Sequence, residues 1–138
     1  MLKIFLVTVL SVFLSFTSFA SLADEEVDER AKDYTYFLLE PDIITNYVSS
    51  GKLIGFLRVT IELLVSEKGK EELVELHKPL IRDKLIQVLG EQDEERVKSI
   101  TQRDAIRLLC LQEVNPIVKA QTGENVVEDL IFTQFLYQ

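Results

Sequence analysis

The sequence predicts an α+β domain, a small antiparallel sheet packed by two long helices in the order β-β-α-α-β. Two observations carry this. From Phe56 to Val65, Leu57, Val59, Ile61, Leu63 and Val65 alternate with Arg58, Thr60 and Glu62, the period of a strand with one buried face. After Ser66 to Gly69 the period changes. Leu73, Val74, Leu76, Leu80, Ile81, Leu85, Val88 and Leu89 recur at steps of three and four, an apolar stripe on a helix from Lys70 to Leu89. A helix folding back on its parent strand is the smallest unit here that buries both faces.

The elements follow in chain order. Asp33 to Leu39 gathers Tyr34, Tyr36, Phe37, Leu38 and Leu39 and reads as a first strand. Pro41 and Asp42 break it. Ile43 to Val48 is a short extended piece, in which Asn46 is expected to bond backbone at a turn. Ser49, Ser50 and Gly51 make a turn, and Gly55 precedes the long strand.

Pro79 lies inside the first long helix. It removes the bond to the carbonyl of Glu75, so a bend is expected between His77 and Leu80. Gly90 is expected to end that helix as a left-handed cap. Glu91 to Arg96 is a charged connector with room for one helical turn. Thr101 followed by Asp104 resembles a capping box, opening a second long helix from Gln102 to Gln121 that Gly123 ends. Pro116 interrupts it. Ile106, Cys110, Val114 and Ile117 form its apolar stripe, with Leu108 and Leu111 beside it. Glu124 to Tyr137 is a β-branched and aromatic run that returns to the sheet. Its alternation is imperfect, and a bulge or two-sided burial explains that.

The first residues are set apart from the fold. Lys3 precedes the apolar run Ile4 to Phe16, and Ser18 with Ala20, then Ser21 with Ala23, have the spacing that a signal peptidase reads. Residues 1–23 are read as a secretory signal peptide cleaved after Ala23. The competing reading is an uncleaved anchor, because Ile4 to Leu22 carries no charge. Both place the rest of the chain outside the cytoplasm. Residues 24–33 form an acidic, flexible lead-in, and 34–138 the domain.

The 138-residue chain carries 15 Lys and Arg against 23 Asp and Glu, a net charge of −8. Without a basic stripe it is a poor nucleic-acid binder and a poor ligand for an anionic membrane surface. One cysteine, Cys110, rules out an internal disulfide, and its place on an apolar stripe reads as core. The core must then hold without staples, as a domain of this length can.

Four stretches, in order, resemble the extracytoplasmic domain of the flagellar basal-body-associated FliL family. They are Pro41 with Thr45, Asn46 and Tyr47; Gly55 to Leu63 (GFLRVTIEL); Pro79 to Leu89 (PLIRDKLIQVL); and Val127 to Gln138 (VEDLIFTQFLYQ). The resemblance covers Tyr34 to Gln138. It implies a fold similar to the stomatin/prohibitin/flotillin domain. It also implies a non-enzymatic motor role, with rings of the protein contacting flagellar stator subunits and the basal body to support torque, swimming and swarming. The family pattern has a cytoplasmic tail and a retained membrane helix. Here cleavage motifs follow the apolar run, so inner-membrane association and a soluble paralogue both stand among the readings.

No chemistry-bearing constellation stands out. His77 is the lone histidine and has no second ligand at helical spacing, so no metal is expected. Glu113 and Glu128 have no nucleophile to serve. No phosphate-cradling loop or nucleophile elbow is found, and neither enzyme activity nor a cofactor is expected. Arg82 and Asp83 lie in one of the resembling stretches. As helix neighbours they face different partners, a second subunit or another element of the same fold. With Leu108 and Leu111 they are the candidate contacts for a partner or for a homo-oligomeric ring. A stomatin-like adaptor for another envelope complex and an enzyme or ligand binder are the competing function classes.

Overall fold

The computed structural model describes residues 33–51 and 53–138. The expected signal or anchor, residues 1–23, and all but the last residue of the lead-in lie outside the described residues. The elements are β1 (Thr35–Leu38), β2 (Ile43–Tyr47), β3 (Gly55–Val65), α1 (Glu71–Gly90), α2 (Glu94–Lys98), α3 (Arg103–Thr122) and β4 (Val127–Tyr137). The α+β class and the antiparallel sheet match the expectation. The order does not: Ile43–Tyr47 is a full strand, and a short helix stands between the two long ones. Among the described residues no helix is long and apolar enough to cross a membrane.

β3 lies at the centre of the sheet. β4 runs antiparallel along one edge from Val127↔Val65 to Tyr137↔Leu57. β1 and β2 share the other edge, β1 opposite Glu62–Val65 and β2 opposite Gly55–Val59. Between them Leu39 to Asp42 bend out opposite Thr60 and Ile61, and the Leu39 amide still reaches the Ile61 carbonyl at 2.9 Å. The sheet is therefore three strands wide along its length. Leu57, Val59, Ile61, Leu63 and Val65 are fully buried beneath the helices, as the alternation predicted.

β4 shows why its alternation looked broken. Its register shifts at Thr60/Ile61 and at Leu64/Val65, where Thr133 and Glu128 are the extra residues. Each bulge reverses the parity of the strand. Val127, Leu130 and Phe135 consequently all reach the core despite their uneven spacing. The bulge alternative was the right one.

On α1 the buried residues are Val74, Ile81, Leu85, Val88 and Leu89. Leu76 and Leu80 were expected in this stripe. Leu76 is 71% exposed and Leu80 is also exposed, since at about 100° per residue both fall on the side of the helix away from Val74, Ile81 and Leu85. On α3 the buried row is Ile106, Cys110, Val114 and Val118. The stripe follows the i+4 ridge, which winds about 40° per step. Val118 continues that ridge, and Ile117 is left half-buried.

Two cap expectations and one turn expectation are corrected, and one cap holds. Gly90 remains helical, with the right-handed Glu91 following it. The helix end is satisfied instead by the Gln92 side chain, whose Nε2 donates to the Val88 carbonyl at 2.7 Å. Gly90 serves close approach: a Cβ there would lie 3.3 Å from Thr45 Oγ1 and 3.4 Å from the Asn46 carbonyl. Thr101 caps nothing, because its hydroxyl pairs with Ser99 and backbone turns from Ser99 and Ile100 lead into α3. Asp104 pairs with Arg107. Asn46 is an exposed mid-strand residue opposite Phe56, since the turn falls later. Gly123 does end α3 at φ 83°, its amide bonded to the Lys119 carbonyl at 2.8 Å.

Leu85 sits fully buried in the middle of the α1 contact. Leu85→Ala should destabilise the domain by about 2–5 kcal/mol, the transfer and cavity cost of such truncations. That is a large part of the ~5–15 kcal/mol that holds a domain of this size. Urea denaturation measures it, and a loss under about 0.5 kcal/mol would place Leu85 on the surface.

Candidate functional site

Arg82 and Asp83 project from the middle of α1 beside the bend between β1 and β2. Together with Glu40, Pro41, Lys78, Pro79 and Ile86 they line an open cleft of about 490 Å³. Its lining is mixed, with the two prolines and Ile86 apolar and four residues charged.

The arginine turns inward to its own fold. Its Nη1 donates to the Pro41 carbonyl, and its Nη2 to the Asp42 carbonyl at 3.4 Å. The bend leaves those carbonyls outside the ladder, and a guanidinium fork suits paired oxygens. On the outer side of the bend the Asp42 carboxylate accepts from Arg58 Nε at 2.7 Å and from Thr60 Oγ1 at 2.9 Å. Arg58, then Thr60, hold the Asp42 carboxyl below its usual range. Arg82 and Arg58 thus clamp the bend from two sides. Lys78 is engaged with Glu75 on its own helix. Among the described residues Asp83 and Glu40 have no ion pair, so the uncommitted charges of the lining are both acidic.

Leu108 and Leu111 do not line this cleft. Leu108 is exposed on α3, and Leu111 is half-buried against the core. The four candidate contacts therefore divide between two places. Among the described residues no group of His, Cys, Asp and Glu is arranged to hold a metal. Cys110 is buried, and desolvation pushes its thiol up to about 12, so it is a protonated core residue as expected.

Sequence reasoning missed a second cleft, of about 610 Å³, at the far end of the sheet. Tyr47, Ser49, Leu53, Ile54, Gly55, Phe56, Glu94, Lys98 and Gln138 line it. The Tyr47 ring lies directly over Gly55, where a Cβ would come within 2.2 Å of it, and its hydroxyl donates to the Gln138 carbonyl at 3.0 Å. Glu94 ties the β2–β3 loop to α2. Its Oε2 accepts from the Ser50 amide at 3.3 Å and the Ser50 hydroxyl at 2.9 Å. Leu53, 84% exposed, stands at the mouth. The available signal was an apolar pair, Leu53–Ile54, inside a turn of serines and glycine.

Lys98, then Ser50, lower the Glu94 carboxyl from 4.5 to about 2. A carboxyl with a depressed folded pKa stabilises above its unfolded value and loses that contribution as pH falls through the folded one. The contribution is therefore full above pH 4.5 and fades toward pH 2. Glu94→Gln should flatten the fall of stability between pH 4.5 and 2, read from urea titrations across that range. Parallel profiles for variant and parent would show that Glu94 holds nothing.

The comparisons with known proteins bear on the whole domain. The family model described as flagellar basal body-associated protein FliL matches residues 36–138. The Flagellar protein FliL of Aquifex aeolicus (strain VF5) is 24% identical over 102 residues, 74% of this chain and 60% of that relative. The chain thus spans about 60% of the length of the curated relative it matches. The family match begins within β1 and closes beyond β4, taking in both clefts and every buried row, and the chain belongs to the FliL family of flagellar basal body-associated proteins.

Proposed function

We propose that this protein is a non-enzymatic accessory of the flagellar motor that acts in the periplasm beside the inner membrane. It assembles as a ring around the stator subunits, or contacts them, and supports torque in swimming and swarming. The observation that carries the reading is the family match over residues 36–138, which spans nearly all the described chain. A role by contact is supported by the first cleft, which sets charged side chains beside exposed apolar ones. We read the layer of sheet and long helices as akin to the stomatin/prohibitin/flotillin domain. The segment 1–23 exports the chain, and cleavage after Ala23 would free it from the membrane.

Within this reading the cleft of Glu40 and Asp83 accepts a partner segment that brings a Lys or Arg. Leu108 and Leu111 supply a second contact on α3. Asp83 is the cleaner probe of the two cleft residues, because reversing Arg82 also sets a carboxylate against the Pro41 and Asp42 carbonyls. Asp83→Lys should change stability by less than about 0.5 kcal/mol, as surface changes do. Swarming in viscous medium and stator occupancy should both fall, since a like charge at an interface opposes association. Normal swarming with a normal melt would remove Asp83 from the contact. Deletion of the gene should impair motility under load. Unchanged motility in every medium would overturn the stator reading in favour of an adaptor for another envelope complex.

A further inference from the structure

The helices cover one face of the sheet, and the opposite face carries no element of the described chain. Its side chains fall into rows across the strands. One row is Leu38–Glu62–Ile131 and another is Ile44–Arg58–Leu136, each apolar at both ends with a charge in the middle. Between them lies a polar row in which Thr60 pairs with Gln134 and its hydroxyl reaches Asp42. Beyond them Leu64 lies on one side and Phe56 on the other, at mirrored positions along β3.

Tyr36, Leu38, Ile44, Phe56 and Leu136 are all exposed on this face, Ile44 by 65% and Tyr36 by 62%. Their exposed area is on the order of 500 Å², the upper range for an apolar patch on a monomer. A stable interface covers about 800 Å² on each partner, so the apolar positions and the polar row together are the size of one.

We propose that this face is the interface between two copies of this chain, packed sheet against sheet about a two-fold axis that crosses β3 at Thr60. The pattern selects both the occupant and the axis. A rotation about that axis exchanges the levels of residues 58 and 62. Leu38 then meets Ile44 of the second copy, Ile131 meets Leu136, Leu64 meets Phe56, and Glu62 meets Arg58. Thr60 and Gln134 meet their own counterparts. A face-to-face pairing with the axis along β3 would instead set Arg58 on Arg58 and Glu62 on Glu62. Like charges juxtaposed in an interface cost several kcal/mol, so the pattern favours the crossing axis. Arg58 uses Nε and Nη2 on Asp42, and Glu62 has no ion pair among the described residues. Arg58 keeps Nη1 uncommitted, so it and Glu62 can complete each other across the dimer, and the match occurs twice by symmetry. The two β3 strands run in opposite directions. This pairing uses neither cleft and does not depend on the stator reading.

Analytical ultracentrifugation of the full chain over a concentration series tests it. The parent should reach a dimer, and Glu62→Arg, which faces Arg58 in the second copy, should raise the dimer dissociation constant at least about tenfold. Mixing Glu62→Arg with Arg58→Glu should recover a dimer that neither variant forms alone, each melt first showing a folded protein. Thr60→Cys, on the axis, should cross-link to itself on oxidation, with buried Cys110 taking no part. A parent that remains monomeric at every concentration overturns the proposal. So does a dimer indifferent to Glu62→Arg, or a Thr60→Cys dimer that oxidation leaves uncrosslinked.

Discussion

The double pairing of β3 is the constraint on which the rest depends. Apart from Thr60 and Ile61, which face the bend, its residues from Leu57 to Val65 have a strand on each side, and every odd-numbered side chain among them is fully buried. Apolar area on one face must be covered, at roughly 25 cal/mol per Å² in favour of covering it. The long helices therefore lie together on that face. The strand that follows them has only one free edge to join, because β1 and β2 already occupy the other. The bend at Leu39–Asp42 and the two bulges in β4 are how the neighbours keep their apolar residues aligned with β3.

Function follows from what this arrangement leaves outside. The bend would expose unpaired carbonyls, so an arginine from α1 is committed to it. That commitment separates the two residues of the Arg82–Asp83 pair, one holding the fold and the other facing outward beside Glu40. The β2–β3 loop is tied by Glu94 to α2, which keeps Leu53 and Ile54 outside the core. Belonging to the FliL family sets this surface in the setting of the flagellar basal body. The face of the sheet opposite the helices carries no other element of the described chain.

Much of the fold was legible because period and burial are directly linked. The alternation of β3, the central position of Leu85, the burial of Cys110 and the left-handed Gly123 all follow from local pattern. Leu76 and Leu80 continue the steps of three and four, but those steps drift around the axis and carry both to the side of the helix away from Leu85. The other failures have a common cause in tertiary choice. Gly90 looked like a cap because glycine serves both left-handed backbone and close approach, and a strand passing at Thr45 decided between them. Thr101 and Asp104 had the spacing of a cap, but a hydroxyl partner at Ser99 and a cation at Arg107 competed. The candidate site was half legible. Arg82 and Asp83 do share a cleft, while its other wall at Glu40 and Pro41 depends on a bend forty residues away in the chain. The cleft at Glu94 depends on a turn joining a helix that was read as a connector.

Native-state hydrogen exchange tests the central place of β3 most directly. Amides bonded on both edges of a buried strand open only when the whole domain unfolds. The amides of Leu57 to Val65 should be the slowest to exchange, at the free energy of global unfolding, with the outward amides of β1, β2 and β4 exchanging faster. Exchange of β3 ahead of the Ile81–Leu89 turns of α1 would contradict it, and would mean that the helices, not the strand, hold the domain together.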